Sequence, residues 1–221
     1  MTTKKSISLS ALGVIQLLKP SFTSGRSLLL ALQKRQTCRA YSNKKLSLQL
    51  LSNLLWAAGG INRKNGPFGV LGRTAATASN SQEIDIFVAL QEGIYLYVAS
   101  SHSLSLVVAG DFREMAIGKG QAGAGKNAPV RLIYVVDIDK FSTAGFQEPG
   151  LKDSDIQKSY YFTDTGLIAG NVYLFAASHG LGAWFHNCDK TGLFTKLKLK
   201  NNQRVLFGQT VGYPLQKNRR K

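Results

Sequence analysis

The chain has 221 residues, of which 44% are hydrophobic, so it is long enough to fill one core and is expected to form a single domain. No apolar run approaches the roughly 20 residues of a membrane-spanning helix, and two cysteines provide neither a disulfide framework nor a cysteine-rich zinc cluster. The formal net charge is +16, and all twelve acidic residues lie within positions 83–189. Both basic ends therefore favour contact with negative charge, on a polyanion or on a phosphorylated cofactor.

The first 82 residues predict an arm, two helices and a long loop. Residues 1–25 carry lysines and a short apolar patch without a small-x-small cleavage site, which favours a surface arm over an export signal and leaves export open. Ser27 to Arg35 predicts a short helix. Ser47 is expected to cap a second helix, which Gly59-Gly60 ends. Residues 61–82 form a long Gly- and Asn-rich connection, and loops of this length are usually functional or disordered.

A strand-rich region follows the long loop. Alternating or continuous apolar residues predict strands at Ile84–Leu90, Gly93–Ala99, Val130–Ile138 and Val205–Tyr213. Ser103–Ala109 could be another strand or the start of a helix. Because helices and strands are interleaved, we predict an α+β domain whose long helices pack on a mixed sheet.

The stretch from Asp164 to Asp189 is interpreted as a buried central helix with an aromatic loop after it. Asp164 or Thr165 is expected to cap its first N–H groups, and Gly180 suits the left-handed residue that ends a helix. The residues between them are small or apolar on nearly every side, which is typical of a core or subunit-interface helix. We expect the following segment, Gly182 to Asn187, to be a loop that could contact a flat ligand.

One motif is rejected and others are incomplete. Gly120 to Lys126 matches G-x-x-x-x-G-K, but Asn127 replaces the Ser/Thr that binds magnesium in a phosphate-binding loop, and a predicted strand follows instead of a helix. We interpret it as a mobile loop. His186 and Cys188 lack a second ligand pair, so no metal site is expected. Nucleophile motifs and paired carboxylates are not evident, so a cofactor would have to carry any redox chemistry.

Four segments, taken together, resemble the FMN-dependent nitroreductase family. KRQTCRAYSNKKLS resembles the R-x-[ST]-x-[RK]-x-[FY] signature that opens the family. LSLQLLSNLLWAAGGINR followed by RTAATASNSQE resembles the subgroup that includes the azoline oxidase components of peptide-modifying systems. The central helix with GLG and the closing QTVGYP follow in the expected order. The resemblance covers residues 26–221 and implies a mainly antiparallel sheet flanked by helices, with a buried central helix.

The resemblance implies that FMN is bound by two sets of residues. Arg35, Thr37 and Arg39 would grip the phosphate, with Gln36 between them at a variable position; if this segment is helical, the two arginines lie one turn apart. Guanidinium forks suit phosphate because charge-assisted hydrogen bonds are strong. The K-x-R pair Lys217 and Arg219 would add to the phosphate site. A solvated basic helix end and a disordered basic tail remain the alternatives.

The ring site implied by the resemblance uses amides and backbone groups. Asn80 and Gln82 resemble the amides that hydrogen-bond the polar edge of the isoalloxazine, with loop capping as the alternative for Asn80. Phe185 and His186 would lie beside the ring near its reactive nitrogen, unless the aromatic residues only fill the core. The family's Pro and Gly are not matched at Phe185 and Cys188, and Ala76 replaces a proline of the subgroup.

The implied activity is a ping-pong cycle in a homodimer with FMN at the interface. NADH or NADPH would be the electron donor, and nitroaromatics, quinones or similar planar molecules the acceptors. Three alternatives stay open: an azoline-type peptide dehydrogenase, a basic nucleic-acid-binding protein, and a flavin store without turnover. Basic residues are not interleaved with aromatics in a recognisable module, so nucleic acid is not the expected partner. We expect a cytoplasmic protein without membrane contact.

Overall fold

In a computed structural model, which describes residues 13–121 and 123–215, helices and turns cover both faces of a seven-stranded sheet. The elements are β1 Val14–Gln16, α1 Leu28–Lys34, α2 Leu48–Gly59, β2 Ile61–Arg63, β3 Gly72–Arg73, β4 Ile84–Ala89, β5 Gly93–Val98, β6 Ser103–Ala109, β7 Val130–Asp137, α3 Ser154–Ser178, β8 Gly182–His186, α4 Lys190–Lys196 and β9 Gln203–Gly212. The strand order is β1-β6-β5-β4-β7-β9-β8, neighbouring strands are antiparallel, and β2 and β3 form a separate pair. This confirms the predicted α+β class.

β7 is an interior strand of the sheet, between β4 and β9, and is buried from Val130 to Val136. Its side chains alternate between two cores, as the two-residue period of a strand requires. Leu132 and Tyr134 join the core formed with α2 and α3, whereas Ile133 and Val135 join the core formed with α4. The continuous apolar sequence of this strand follows from cover on both faces.

α2 forms where its sequence predicts it. Ser47 caps the helix, with its hydroxyl accepting a hydrogen bond from Leu50 N at 3.2 Å. Leu51, Leu54, Leu55 and Ala58 repeat at the spacing of one helical face and are all buried.

The central helix begins ten residues before the predicted start at Asp164. α3 runs from Ser154 to Ser178, and Asp153 caps it by accepting hydrogen bonds from two backbone N–H groups. The predicted cap at Asp164 or Thr165 is therefore wrong, and both residues are buried inside the helix. Residues 154–159 are mostly polar and exposed, so the first turns lack the apolar stripe that revealed the second half. The predicted end is confirmed by Gly180, which has φ +69°.

Five elements were not predicted, and two of them, β2 and β3, form a short pair within the predicted loop 61–82. Gly182 to His186, expected to be a loop, is the edge strand β8, which pairs with β9; it is short, and four of its five residues are buried, so it lacks polar alternation. α4 is a seven-residue helix capped by Asp189. β1 adds the latter part of the predicted N-terminal arm to the opposite sheet edge, where Ile15 is buried. Within the described residues, no helix combines the length and hydropathy needed to cross a bilayer.

A buried polar chain connects the sheet to α3. Tyr134 donates its hydroxyl hydrogen to Gln209 Oε1, and Gln209 Nε2 donates to Ala169 O at 3.2 Å. Both side chains are fully buried. Satisfied buried networks of this type fix a unique packing of a helix on a sheet.

We predict that Tyr134→Phe lowers the free energy of unfolding by about 1–3 kcal/mol, because it leaves the buried Gln209 Oε1 without a donor. Urea unfolding followed by circular dichroism measures the change. Tyr213→Phe, at a half-buried tyrosine near the end of β9, is the control and should cost less. Equal losses in both variants would contradict the assignment.

Candidate functional site

The predicted phosphate residues lie in an extended segment after α1. Arg35 ends the helix with φ −60° and ψ 121°, and Thr37 forms a parallel bridge with Ala183 of β8. Cys38 N donates to Ala183 O at 3.0 Å. Since the segment is not helical, Arg35 and Arg39 do not share a helical face, and extended spacing separates their Cα atoms by up to roughly 13 Å.

Aromatic rings orient the two arginines. Arg35 Cζ lies 5.5 Å from the ring centroid of Tyr173, and Arg39 Cζ lies 5.4 Å from that of Trp184. Thr37 Oγ1 is 3.4 Å from Tyr173 Oη. Arg35, Gln36, Thr37 and Arg39 are all exposed. In residues 13–121 and 123–215 the ion pairs are Lys45–Glu92, Arg113–Asp111 and Lys140–Asp85, so neither guanidinium is neutralised by a carboxylate.

The chain approaches the same segment again near its C-terminal end. Tyr41 and Pro214 form an antiparallel bridge, and Leu215 N donates to Ala40 O at 2.9 Å. Lys217 and Arg219, the other predicted phosphate residues, lie outside the described residues.

The Gly-rich loop between β6 and β7 lies along this site. Gly125 N donates to Arg39 O at 2.8 Å, and Gly118 N donates to Asn187 O at 3.0 Å. Strand geometry places Ala183 and Asn187 roughly 13 Å apart along β8. Gly125 is buried with φ +70°, a conformation that favours glycine. The loop leads directly into β7, so its order of elements is not that of a nucleotide P-loop.

Gln121 in this loop was not predicted as a site residue. Its Oε1 is buried and accepts no hydrogen bond within the described part of the chain. Gln121 is among the residues that line a groove between the loop and the segment after β8, Gly118–Gln121 and Asn187–Lys190. An unpaired buried acceptor is costly and suits a ligand N–H group. The sequence offered only one indication, an amide within a Gly-rich segment.

Arg131 supports the Gly-rich loop through buried hydrogen bonds. Its guanidinium donates to Arg113 O and to Gly125 O, the latter at 3.0 Å, and its Nε has no acceptor in the described residues. Burial, with a smaller contribution from the charge of Arg113, lowers the pKa of Arg131 to about 10. A cavity of about 380 Å³ lies under the loop, lined in part by Arg131, Lys119 and Lys126. Glu114 and Asp189 also line this cavity, so its wall combines three cations with two carboxylates.

Phe185 and His186, the predicted ring contacts, are engaged within the protein. Phe185 N donates to Tyr173 Oη at 2.8 Å, and its ring packs on Phe207 with centroids 4.7 Å apart. His186 is buried, with Nδ1 2.8 Å from Asn187 O and Nε2 2.8 Å from Thr210 Oγ1. Because a carbonyl only accepts, Nδ1 carries the proton and Nε2 accepts from the Thr210 hydroxyl. The groove is lined instead by the following residues, from Asn187 onward.

Asn80 and Gln82, the predicted amides, belong to a strained turn before β4. Gln82 Oε1 accepts from Arg73 Nε at 2.6 Å, and Gln82 Nε2 donates to Asn80 Oδ1 at 3.0 Å and to Leu71 O at 2.6 Å. Asn80 Nδ2 makes two longer bonds of 3.4 Å to backbone carbonyls. Ser79, Asn80 and Gln82 have φ of +49°, +54° and +53°. Such strain is often found at functional sites.

Within one chain these amides are remote from β8. Val88 of β4 pairs with Leu132 of β7, which pairs with Gln209 of β9, which in turn pairs with Phe185 of β8. Gln82 lies six residues before Val88. Strand spacing and rise place Gln82 on the order of 20 Å from Phe185. The fold therefore brings the basic segment, β8 and the Gly-rich loop together, and leaves the amide turn apart.

Known proteins with similar sequences and folds include members of the nitroreductase family. The sequence model that describes the Nitroreductase family matches residues 32–213 of this chain. A provisionally named nitroreductase of Methanocaldococcus jannaschii is 28% identical over 156 residues, covering 67% of this chain and 72% of that protein. The crystal structure of a provisionally named nitroreductase from Ralstonia eutropha JMP134 has a TM-score of 0.80 at 31% identity, covering 93% of this chain and 91% of that one. A chain of the E. coli microcin synthetase McbBCD complex shares the fold, with a TM-score of 0.67 at 17% identity over 90% of this chain and 78% of its own.

We predict that the His186 ring stays neutral above about pH 5, because burial lowers its pKa from 6.5 to about 4. The unfolded state then binds the proton more readily, so this group's stabilising contribution is lost as the pH falls from about 6.5 to about 4. NMR titration of the His186 ring resonances measures the pKa. A midpoint above pH 6 would contradict the assignment.

Proposed function

Because the chain belongs to the nitroreductase family, we propose that it is an FMN-dependent oxidoreductase that uses NADH or NADPH to reduce nitroaromatics, quinones or similar planar acceptors. One observation carries the proposal. The extended basic segment, β8 and the Gly-rich loop are joined by backbone hydrogen bonds around one site. Among the described residues, the guanidinium groups at one end have no carboxylate partner and the Gln121 amide oxygen at the other end has no donor. A ligand with a phosphate at one end and a polar flat ring at the other fits this polarity.

Arg35, Thr37 and Arg39 would hold the phosphate. Their side chains are exposed, two are cationic, and Tyr173 and Trp184 support the guanidinium groups. Charge-assisted hydrogen bonds to phosphate are about twice as strong as neutral ones. The resemblance to the family implies that Lys217 and Arg219 would add positive charge to the same phosphate; both lie outside the described residues.

At the ring end, Gln121 Oε1 would accept an N–H of the isoalloxazine, and the backbone at Asn187 and Cys188 would line its edge. FMN, when bound, would supply the redox chemistry of a ping-pong cycle between the nicotinamide donor and the planar acceptor. Burial raises the pKa of the Cys188 thiol to about 12, so it remains protonated and unreactive. The residues of the chain therefore bind and orient.

A homodimer would bring Asn80 and Gln82 of one protomer to the flavin of the other. α1 packs on α3, and apolar side chains on both helices face outward, including Leu29, which is 78% exposed, and Leu167, which is 47% exposed. Gly166 and Gly170 on α3 also border open space. An apolar surface of this kind marks a contact with another protein surface, and a second copy would bury it while completing the site.

Arg39→Ala tests the phosphate assignment. We predict that the Kd for FMN rises roughly 10- to 100-fold, since a charge-assisted hydrogen bond contributes about 1.5–3 kcal/mol. Quenching of FMN fluorescence measures the Kd. NADPH oxidation with a quinone should recover at saturating FMN, because Arg39 lies away from the ring.

Arg204→Ala removes the same charge from an exposed site on β9 and should leave the Kd within about twofold of the wild type. Equal weakening by both substitutions would attribute the effect to net charge and contradict the assignment.

Mixing two inactive variants tests the shared site. Arg39→Ala damages the phosphate end, and the double variant Asn80→Ala, Gln82→Ala damages the amide end. If each flavin contacts both protomers, a mixed dimer contains one intact site, so unfolding and refolding the two variants together should restore about a quarter of wild-type activity at limiting FMN. Each variant refolded alone is the control. No gain on mixing would contradict a site formed by both chains.

A further inference from the structure

Two carboxyl groups hold the turn that carries Asn80 and Gln82. Asp164, in the middle of α3, is 5% exposed, and its Oδ2 accepts from Ala78 N at 2.8 Å. Glu83, at the other end of the turn, is 0% exposed, and its Oε2 accepts from the Ser81 hydroxyl at 2.6 Å. Each carboxyl therefore fixes one end of the Ala78–Gln82 turn.

The two carboxyl groups also interact with each other. Glu83 Oε1 has no hydrogen-bond partner in the described residues, and the two carboxyl groups hold the same short turn, at Ala78 N and at the Ser81 hydroxyl. A proton on Glu83 Oε1 that is donated to an ionised Asp164 would satisfy this oxygen. Burial, opposed by the Ser81 hydrogen bond and assisted by the charge of Asp164, raises the pKa of Glu83 to about 7. Burial also raises the pKa of Asp164.

Nearby charges are committed to other partners. Lys140 pairs with Asp85 at 2.6 Å and reaches Gln82 O at 3.5 Å, and Arg73 donates to Gln82. On α3, Tyr160 donates to Glu148 at 2.8 Å. Within the described residues, neither Glu83 nor Asp164 forms an ion pair with a lysine or arginine. Two buried carboxylates without a cation repel each other, so one shared proton is the favourable state.

The turn needs this support because it is strained. Ser79, Asn80 and Gln82 all have positive φ, which costs of order 1 kcal/mol or more for each such residue. Thr77 adds one more restraint, because its Oγ1 accepts a hydrogen bond from Gln82 N at 3.0 Å. We propose that Glu83 and Asp164 share one proton and so act as positioning residues that hold Asn80 and Gln82 in place for the flavin. This rests on the proposed function.

The test compares wild type with Glu83→Gln over pH. A glutamine keeps the shape, donates to Asp164 and accepts from Ser81, but cannot ionise. The Kd for FMN, measured by fluorescence quenching, should rise roughly tenfold between pH 6 and pH 8 in the wild type, since one proton is linked to the ordered turn. It should change less than twofold in Glu83→Gln. The control Glu92→Gln, at a carboxylate paired with Lys45 on the β4–β5 turn, should follow the wild type.

Thermal unfolding without added FMN provides a second readout. The stability that the protonated Glu83 contributes is complete below about pH 4.5 and is lost as the pH rises through about 7. The unfolding temperature of the wild type should therefore fall relative to that of Glu83→Gln from pH 5 to pH 8. Asp164→Asn removes the like charge beside Glu83, so the pH at which this stability is half lost should be lower in the variant than in the wild type.

The failures of the two proposals differ. If FMN binds but its pH profile is unchanged by Glu83→Gln, the positioning role is overturned. If the wild type takes up no FMN at any pH, the proposed function is overturned, while the unfolding temperatures still decide whether the two carboxyls share a proton.

Discussion

An edge strand has backbone groups that must find partners, and the outer edge of β8 finds them in the basic segment after α1. Cys38 N bonds to Ala183 O, and Thr37 bridges the same residue. This pairing brings the N-terminal arginines to the C-terminal part of the sheet. The Gly-rich loop then attaches to both partners, at Arg39 O and Asn187 O. The candidate site exists because one exposed sheet edge is closed in this way.

Unsatisfied polar atoms cluster around the same regions. Of the four buried side-chain atoms without a partner in the described residues, Gln121 Oε1 and Arg131 Nε lie at the Gly-rich loop, and Glu83 Oε1 lies at the amide turn. Each isolated orphan would destabilise the fold by about 1–3 kcal/mol. A bound flavin would satisfy Gln121, and a shared proton satisfies Glu83. Stability given up at these positions is consistent with residues placed for binding.

The sequence predicted best where local patterns and burial agree. α2 combines a serine cap, a leucine face and a terminal Gly-Gly, and β7 is apolar throughout, so both could be placed closely. The first turns of α3 could not, because they are exposed and carry no stripe. β8 was missed because a short edge strand covered on both faces resembles an aromatic loop. The residues proposed to hold the phosphate were predicted from one local motif, whereas Gln121 and the Glu83–Asp164 pair become visible only when distant segments meet.

Distance within the sheet also limits what one chain can do. The amide turn precedes β4, the middle strand of the sheet, whereas β8 is an edge strand, so three strand intervals separate Val88 from Phe185. The apolar outer surfaces of α1 and α3 are exposed, and the proposed homodimer would cover them and join each amide turn to the other chain's basic segment. The sequence predicted both groups of residues but not the distance between them.

The visible absorption spectrum of the purified protein tests the central claim most directly, followed by release of the chromophore with acid. The account predicts a two-band flavin spectrum, with FMN released in an amount equimolar with the chain. A colourless protein that also fails to take up added FMN would contradict it.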